Sequence, residues 1–358
     1  MGTAFHPLEL KTNTAETVAR WQAYLAGEII DRPIVRVCAP KQSGAQIWGK
    51  EGYRERAFGD IDQVLDEALE RAASTYFGGE ELPVFSPSLG PDEVAVYCGG
   101  DFAWSDASED TNWSVPFVDD WEDVLPLRLN EQHPMWQRLM ALLHRAAERL
   151  EGKMLIRALD LHTNMDLLAA ARGPERLCLD LMDQPEMIDA AMESSRAIFP
   201  ALWERVTTAG RMYEQGFYDN VYSMGGAAML QCDFSCMISP AMFARWVAPA
   251  LEEEAAIVKH VYYHWDGPDA QSHTDALCAM PGLHTLGYVP GDGNGRHIDY
   301  LPLLKRVQAM GKAVEFRGSH EELKAAHREL KPEKAMYVTS ARSPQEADAL
   351  LQWFVANT

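Results

Sequence analysis

The sequence is poor in basic residues and lacks long apolar runs. Its 358 residues contain 32 Lys and Arg against 53 Asp and Glu, so the formal net charge is −21. A surface this acidic repels phosphate backbones and anionic lipids, which excludes nucleic acids and membranes as main partners. The sequence has no apolar run of about 20 residues, the length that a transmembrane helix needs. Residues 1–11 lack the apolar core of a signal peptide.

Cysteine pairs and the common cofactor motifs are also missing. The six cysteines are scattered without a CxxC pair: Cys38, Cys98, Cys178, Cys232, Cys236 and Cys278. In a chain of this size without an export signal, this pattern predicts reduced thiols in a cytoplasmic protein. There is no P-loop, no G-x-S-x-G elbow and no H-E-x-x-H. The spacing of Gly291-x-Gly-x-Gly295 differs from that of a dinucleotide fingerprint, so a nicotinamide cofactor is not expected.

One apolar run that ends in charged residues organises the chain: Val261-Tyr-Tyr-His264-Trp-Asp266-Gly267-Pro268. Aromatic and β-branched residues bounded by Gly-Pro predict a buried strand that stops at a loop. In an extended chain, the side chains of His264 and Asp266 leave the strand on the same side. They are candidates for a functional pair. The alternative is that they cap the turn or hydrogen-bond each other.

Strand-like and helix-like segments alternate along the chain, which predicts βαβ units with parallel pairing. The predicted strands are 34–38, 94–97, 153–159, 220–223, 261–264, 284–289, 312–316 and 335–339. This pattern predicts an α/β protein that forms one (β/α)8 TIM barrel over residues 1–358, with an N-terminal helix as an addition. A doubly wound open sheet is the alternative.

Residues 100–134 interrupt the alternation and show no clear period. Four aromatic residues, Trp104, Trp113, Phe117 and Trp121, lie here among many Asp and Glu residues. A long segment of this kind within a compact chain is typical of a lid or a binding loop. The aromatic faces and the acidic residues around them predict a lid that selects a neutral or cationic substrate. The alternative is that the aromatic rings only pack a surface segment against the core.

Polar residues recur after the predicted strands, as expected for an active site at the carboxyl ends of barrel strands. The predicted catalytic residues are His264, Asp233 and Asp266. The predicted substrate-binding residues are His162, Asn164, Trp113, Tyr288 and Glu315. A metal of the zinc type takes nitrogen, sulfur and oxygen donors, and the candidate ligands are His264, Asp266 and Cys232, with Cys236, His297 and Glu315 as further donors.

Several segments, taken in order, resemble the uroporphyrinogen decarboxylase (URO-D) superfamily. They are Leu167-Leu-Ala-Ala-Ala-Arg-Gly173-Pro-Glu175, Asp180-Leu-Met-Asp-Gln-Pro185-Glu186, Asp233, Ile238-Ser-Pro-Ala-Met-Phe243, Tyr263-His264-Trp-Asp266-Gly and Gly311-Lys312. The resemblance is strongest over about residues 155–357 and implies a (β/α)8 barrel. The superfamily includes the decarboxylase of porphyrin synthesis and zinc-dependent methyltransferases that move methyl groups between corrinoid proteins and thiols.

The chain departs from both branches of that superfamily. It lacks the decarboxylase's arginine-rich M-R-Q-A-G-R segment and its late G-H-G, so a working uroporphyrinogen decarboxylase is not expected. The methyltransferases carry H-x-C and a later Cys as zinc ligands, whereas this chain has His264-x-Asp266, and Ser340 near the later position. The resemblance implies a divergent, metal-assisted methyltransferase with zinc and a corrinoid protein as partner. A decarboxylase or lyase with His/Asp acid–base chemistry, and a non-enzymatic small-molecule binder, are the alternatives. A homodimer is a further expectation.

Overall fold

The computed structural model describes residues 7–47, 52–105, 108–159 and 161–358. The helices are α1 (Thr14–Leu25), α2 (Tyr53–Phe58), α3 (Ile61–Ser74), α4 (Glu93–Tyr97), α5 (Trp121–Val124), α6 (Pro134–Arg149), α7 (Asn164–Arg172), α8 (Pro174–Asp183), α9 (Pro185–Ala209), α10 (Met212–Gln215), α11 (Pro240–Met242), α12 (Ala248–Val258), α13 (Thr274–Ala279), α14 (Leu301–Ala309), α15 (His320–His327) and α16 (Pro344–Asn357). Within the described ranges, none of them is long and apolar enough to span a bilayer.

The strands are β1 (Ile34–Pro40), β2 (Thr75–Gly79), β3 (Val84–Phe85), β4 (Asp101–Ser105), β5 (Ser108–Val115), β6 (Leu155–Ile156), β7 (Phe217–Asp219), β8 (Val221–Ser223), β9 (Ala227–Gln231), β10 (His260–Asp266), β11 (Leu283–Val289), β12 (Ala313–Arg317) and β13 (Ala335–Ser340). Seven of them form the main sheet in the order β2-β1-β13-β12-β11-β10-β9. All neighbours in it are parallel except β2, which is antiparallel to β1. The predicted mixed α/β class is confirmed.

The strand order runs in one direction, and the first strand pairs with the last. Ile34 of β1 lies opposite Met336 of β13. A doubly wound sheet reverses its order near the middle, so the predicted alternative does not describe this sheet. The N-terminal helix α1 also packs against the main sheet. Its Tyr24 hydroxyl lies 2.9 Å from the Thr285 hydroxyl of β11.

The predicted closed eight-stranded barrel is not seen as a continuous hydrogen-bonded ring in the described residues. Strands β3 and β6 form a separate parallel pair of two residues each. A single bridge between Arg157 and Tyr218 leads on to β7, and the Asp219 carboxylate accepts the Met229 N–H of β9 at 3.0 Å. Strands of two or three residues form few backbone hydrogen bonds. Between β7 and β9, the side-chain hydrogen bond of Asp219 takes the place of backbone pairing.

Alternation along the strands separates an inner face of the main sheet from a helix-covered outer face. Tyr262 and His264 of β10 lie on the inner face, two residues apart. A Cβ on Gly287 of β11 would lie 1.7 Å from the Tyr262 hydroxyl oxygen, so glycine leaves the room that this ring occupies. Trp265 lies on the outer face, where its indole donates to the Ala270 carbonyl at 3.0 Å. The alternation thus places His264 and Asp266 on the same face, as predicted.

One predicted strand is wrong, and another is confirmed as a strand but lies outside the main sheet. Residues 94–97 form α4, because the buried Glu93 carboxylate accepts the Leu89 N–H at 2.9 Å and the Tyr97 hydroxyl at 2.7 Å and so fixes one helical turn. Residues 221–223 form β8, which pairs only in a small hairpin with β7. The strand that joins the main sheet here is β9, a fully buried run that follows Gly226.

The described part of the 100–134 segment contains two strands and a short helix, so it is not irregular throughout. Strands β4 and β5 form an antiparallel hairpin, hereafter the 101–115 hairpin. Asn112 donates to the Leu89 carbonyl at 2.8 Å, and the Ser114 N–H donates to Asp92 at 3.1 Å. Trp121 of α5 is 1% exposed and donates to Asp180 at 2.8 Å. The hairpin is therefore docked on residues 89–92, and Trp121 anchors the segment to the core.

Candidate functional site

Three predicted site residues meet where two parallel strands end. His264 and Asp266 close β10, and Asp233 begins the short 3-10 turn Asp233–Met237 that follows β9. His264 of β10 pairs with Gln231, the last residue of β9. Asp233 comes two residues after Gln231, so it lies at the level of Asp266. One ligand atom from each of the three lies within 4.8 Å of the others. His264 Nε2 is 4.0 Å from Asp233 Oδ1. We name this group the Asp233–His264–Asp266 cluster.

The donor set of the cluster fits a divalent metal ion. Asp266 Oδ1 is buried and has no hydrogen-bond partner in the described part of the chain. A buried carboxylate oxygen without a donor costs free energy, and a bound cation removes that cost. One imidazole nitrogen and two carboxylate oxygens suit zinc in an open, catalytic site, which keeps a fourth position for water or substrate.

The predicted metal ligand Cys232 is not part of this group of ligand atoms, and Asp233 takes its place. The Cys232 thiol is buried, and burial raises its pKa well above the usual range. The carboxylates of Asp166 and Asp233 raise that pKa further. A zinc ion binds the thiolate, so this acidic, buried environment disfavours the form of Cys232 that a metal takes. Cys236 is exposed and also lies outside the group.

His162, Asp92 and Asp166 form a second group of ionisable side chains beside the cluster. His162 is 8% exposed, and its Nδ1 lies 3.9 Å from Asp92 Oδ1 and 4.0 Å from Asp166 Oδ2. Burial raises the pKa of Asp166, while the charge of His162 lowers it. The Gln231 amide nitrogen contacts both His162 Nε2 and Asp233 Oδ2, the latter at 3.4 Å. Gln231 therefore bridges the two groups.

Asp92 and Gln231 are site residues that the sequence reasoning missed. Gln231 stands two positions before Asp233, so the period of a strand predicts that both lie on one face. Asp92 lies in the turn before α4, a helix that was predicted as a strand. Correct assignment of residues 93–97 as a helix would have placed Asp92 at its N-terminus and drawn attention to it.

A cleft of about 550 Å³ opens between the 101–115 hairpin and the cluster. Its lining is apolar with three carboxylates and one imidazole: Pro91, Asp92, Trp113, Ser114, Pro116, His162, Asp166, Ala169, Ala170, Pro174, Asp233, Phe234 and Met237. None of these described lining residues is Lys or Arg. Trp113 is 45% exposed and lines the cleft, whereas Trp104 packs against Phe58 and Phe102. The cleft thus combines negative charge with an aromatic face and reaches the cluster at Asp233.

The remaining predicted substrate-binding residues are placed elsewhere. Asn164 is 1% exposed and donates to the Gln231 carbonyl at 3.0 Å. Tyr288 lies on the outer face, its ring centroid 5.0 Å from that of Trp265. Glu315 lies on the inner face of β12, where it is 1% exposed and hydrogen-bonded to Arg317. His297, which was predicted as a further metal donor, accepts the Arg317 N–H at 3.3 Å. None of these residues lines the cleft.

Comparisons with known proteins give a likeness of fold. No family model matches the chain, and no curated protein matches it. Among solved structures, the chain is similar to a methyltransferase from Methanosarcina mazei, with a TM-score of 0.58 and 12% sequence identity. The match covers 95% of this chain and 98% of that one. At this identity, the likeness concerns the fold alone.

Proposed function

We propose that this chain is a metal-dependent methyltransferase of the URO-D type, with strands arranged as in a (β/α)8 barrel. The Asp233–His264–Asp266 cluster carries the proposal, because its donor atoms lie together and because His264-x-Asp266 corresponds, by the sequence resemblance, to the H-x-C of the methyltransferases. The likeness in fold to a methyltransferase supports methyl transfer over unrelated uses of the cluster. Zinc is the proposed ion, and a corrinoid protein is the proposed methyl-carrying partner. A homodimer and a cytoplasmic location remain predictions.

The metal would be held by His264 through an imidazole nitrogen and by Asp233 and Asp266 through one carboxylate oxygen each. When bound, such an ion lowers the pKa of a thiol or water, or stabilises developing negative charge. The chain's own residues supply the surroundings. Asp166 fixes the turn that carries Asp233, and the 101–115 hairpin covers the cleft.

The substrate of the proposed reaction is small and either neutral or cationic, and it binds in the cleft beside the cluster. The carboxylates of Asp92 and Asp233 line this cleft and favour positive charge. The Trp113 ring offers a face on which a methylated cation can rest. The absence of Lys and Arg from the described lining disfavours an anionic group at this position.

A second candidate uses the same residues without a metal. His264 Nε2 lies 4.0 Å from Asp233 Oδ1, so an imidazole stands next to a carboxylate. Such a pair performs general acid–base chemistry in a decarboxylase or lyase, with the carboxylate fixing the imidazole tautomer. A non-enzymatic binder would use the cleft and perform no chemistry at all.

Metal analysis of protein purified without a histidine tag tests the proposal. We expect stoichiometric zinc, and thiol-dependent demethylation of methylcobalamin. Both should be lost in His264→Ala and retained in His144→Ala, a matched substitution at an exposed histidine of α6. A metal-free protein whose activity resists chelators would reject the metal-dependent mechanism and favour acid–base chemistry. Ligand binding without turnover would favour the binder.

A further inference from the structure

The carboxamide of Gln231 is shared between two side chains of the site. Gln231 is 2% exposed, and its Nε2 contacts His162 Nε2 on one side and Asp233 Oδ2 on the other. A carboxylate oxygen only accepts hydrogen bonds, so the NH2 group of the amide faces Asp233. The same NH2 group has a second hydrogen, which it donates to His162 Nε2. The Nδ1–H of His162 is then directed at Asp92 and Asp166.

The hydrogen bond from the Gln231 amide gives the two oxygens of the Asp233 carboxylate different surroundings. Oδ2 accepts from Gln231, and Oδ1 lies 4.0 Å from His264 Nε2. The two oxygens of Asp233 therefore have different tasks. Oδ2 is held by an amide, and Oδ1 is presented to the cluster. A metal ligand held in this way loses less freedom on binding an ion than a carboxylate that rotates.

The backbone around Asp233 is fixed by groups other than the Gln231 side chain. Asp166 accepts the N–H groups of Asp233 and Phe234, each at 2.9 Å. Asn164 donates to the Gln231 carbonyl at 3.0 Å. Because these contacts hold the path of the chain on both sides of Asp233, loss of the Gln231 carboxamide should change the orientation of the carboxylate and leave the turn in place.

We infer that Gln231 is a positioning residue of the Asp233–His264–Asp266 cluster, which it serves by holding Asp233 Oδ2, and that His162 in turn orients Gln231. The inference rests on the proposed metal-dependent function. It extends the site by two residues that touch neither the ion nor the substrate's reacting atoms. Residues that orient metal ligands typically change metal affinity by about 10–100-fold when they are replaced.

Cobalt binding to the full chain tests the inference, since Co²⁺ replaces zinc and gives a visible spectrum that reports its ligands. We expect Gln231→Met to weaken Co²⁺ binding about 10–100-fold in competition with a chelator, and to shift the visible bands. Methionine keeps the length of the side chain and removes the donor. Gln308→Met is the matched control. Gln308 is also 2% exposed and donates to two carbonyls, those of Lys331 and Lys334, far from the cluster in the chain.

His162→Phe supplies the second part of the test. If His162 acts through Gln231, the losses in the single variants do not add in the double variant. Should Gln231→Met not fold, as judged by circular dichroism, Gln231→Leu is measured in its place with the same expectation. Wild-type protein that binds no Co²⁺ would reject the proposed function itself. Wild-type protein that binds Co²⁺, with unchanged affinity and spectrum in the Gln231 variant, would overturn the inference alone.

Discussion

The carboxylate of Asp166 fixes the backbone of Asp233, whose N–H it accepts at 2.9 Å. Its other oxygen accepts the Phe234 N–H at the same distance. Asp166 belongs to α7 and Asp233 to the turn after β9, so one side chain joins two consecutive strand–helix connections. The position of a candidate metal ligand therefore depends on a residue that lies outside the group of ligand atoms.

Replacement of Asp166 by Asn should loosen this turn. An amide has one acceptor oxygen, so one of the two backbone N–H groups would face an NH2 group and lose its partner. A buried donor without a partner costs about 1–3 kcal/mol, and urea unfolding should show a loss of that size. Asp183→Asn, at an exposed position of α8, should stay within about 0.5 kcal/mol of the wild type. Equal stabilities for all three proteins would contradict the role given to Asp166.

Glu254 should make the stability of the protein depend on pH. Burial raises the pKa of this carboxyl from 4.5 to about 8, against the lowering effect of hydrogen bonds from Thr163 and Asn164. The folded state thus holds a proton that the unfolded state releases. The contribution is fully present below pH 4.5 and is lost as pH rises through about 8, with a slope of at most about 1.4 kcal/mol per pH unit.

Glu254→Gln tests this expectation, because glutamine mimics the protonated carboxyl. Urea unfolding at several pH values should show the wild type losing stability relative to the variant between pH 5 and 8. Glu253→Gln is the control. Glu253 neighbours Glu254 in the chain but is paired with Arg196 at the surface, where the arginine lowers its pKa. Parallel stability curves for wild type and Glu254→Gln would show that Glu254 is ionised in the folded protein.

The sequence predicted the position of a site residue correctly where that position depends only on the local pattern of a strand. Period-2 alternation placed His264 and Asp266 on one face, and the ends of parallel strands brought Asp233 beside them. It was insufficient where tertiary contacts decide. The apolar Val94–Tyr97 run is helical because the buried Glu93 closes its turn. Tyr288 lies near the carboxyl end of β11, yet strand alternation directs it to the outer face. The bridge from Gln231 to His162 depends on register between segments distant in the chain, which no local pattern records.

Trp113 and Trp121 belong to one segment that was predicted as a lid, but their substitution should have opposite effects. Trp113 is 45% exposed in the cleft, so Trp113→Ala should leave stability nearly unchanged and weaken choline binding by roughly 3–30-fold. Trp121 is 1% exposed, so Trp121→Ala should cost about 3–5 kcal/mol of unfolding free energy. Calorimetric titration with choline and with its neutral isostere 3,3-dimethylbutan-1-ol separates charge from shape. Unaltered choline binding in Trp113→Ala would mean that the hairpin does not contribute to the ligand site.

Asp266→Cys should convert the cluster into the H-x-C arrangement of the methyltransferases that the sequence resembles. The side chain of residue 266 leaves the strand on the same face as His264, so a thiolate there would meet an ion bound by His264 and Asp233. Zinc and Co²⁺ both bind thiolate well, and the Co²⁺ complex should gain a sulfur-to-metal charge-transfer band in the near ultraviolet. Asp269→Cys, three positions further on and exposed, is the matched control and should show no such band. A folded Asp266→Cys protein that binds Co²⁺ without the charge-transfer band would show that residue 266 is not a ligand. In that case the buried Oδ1 of Asp266 would need another explanation, and the metal would have to be held by His264 and Asp233 without it.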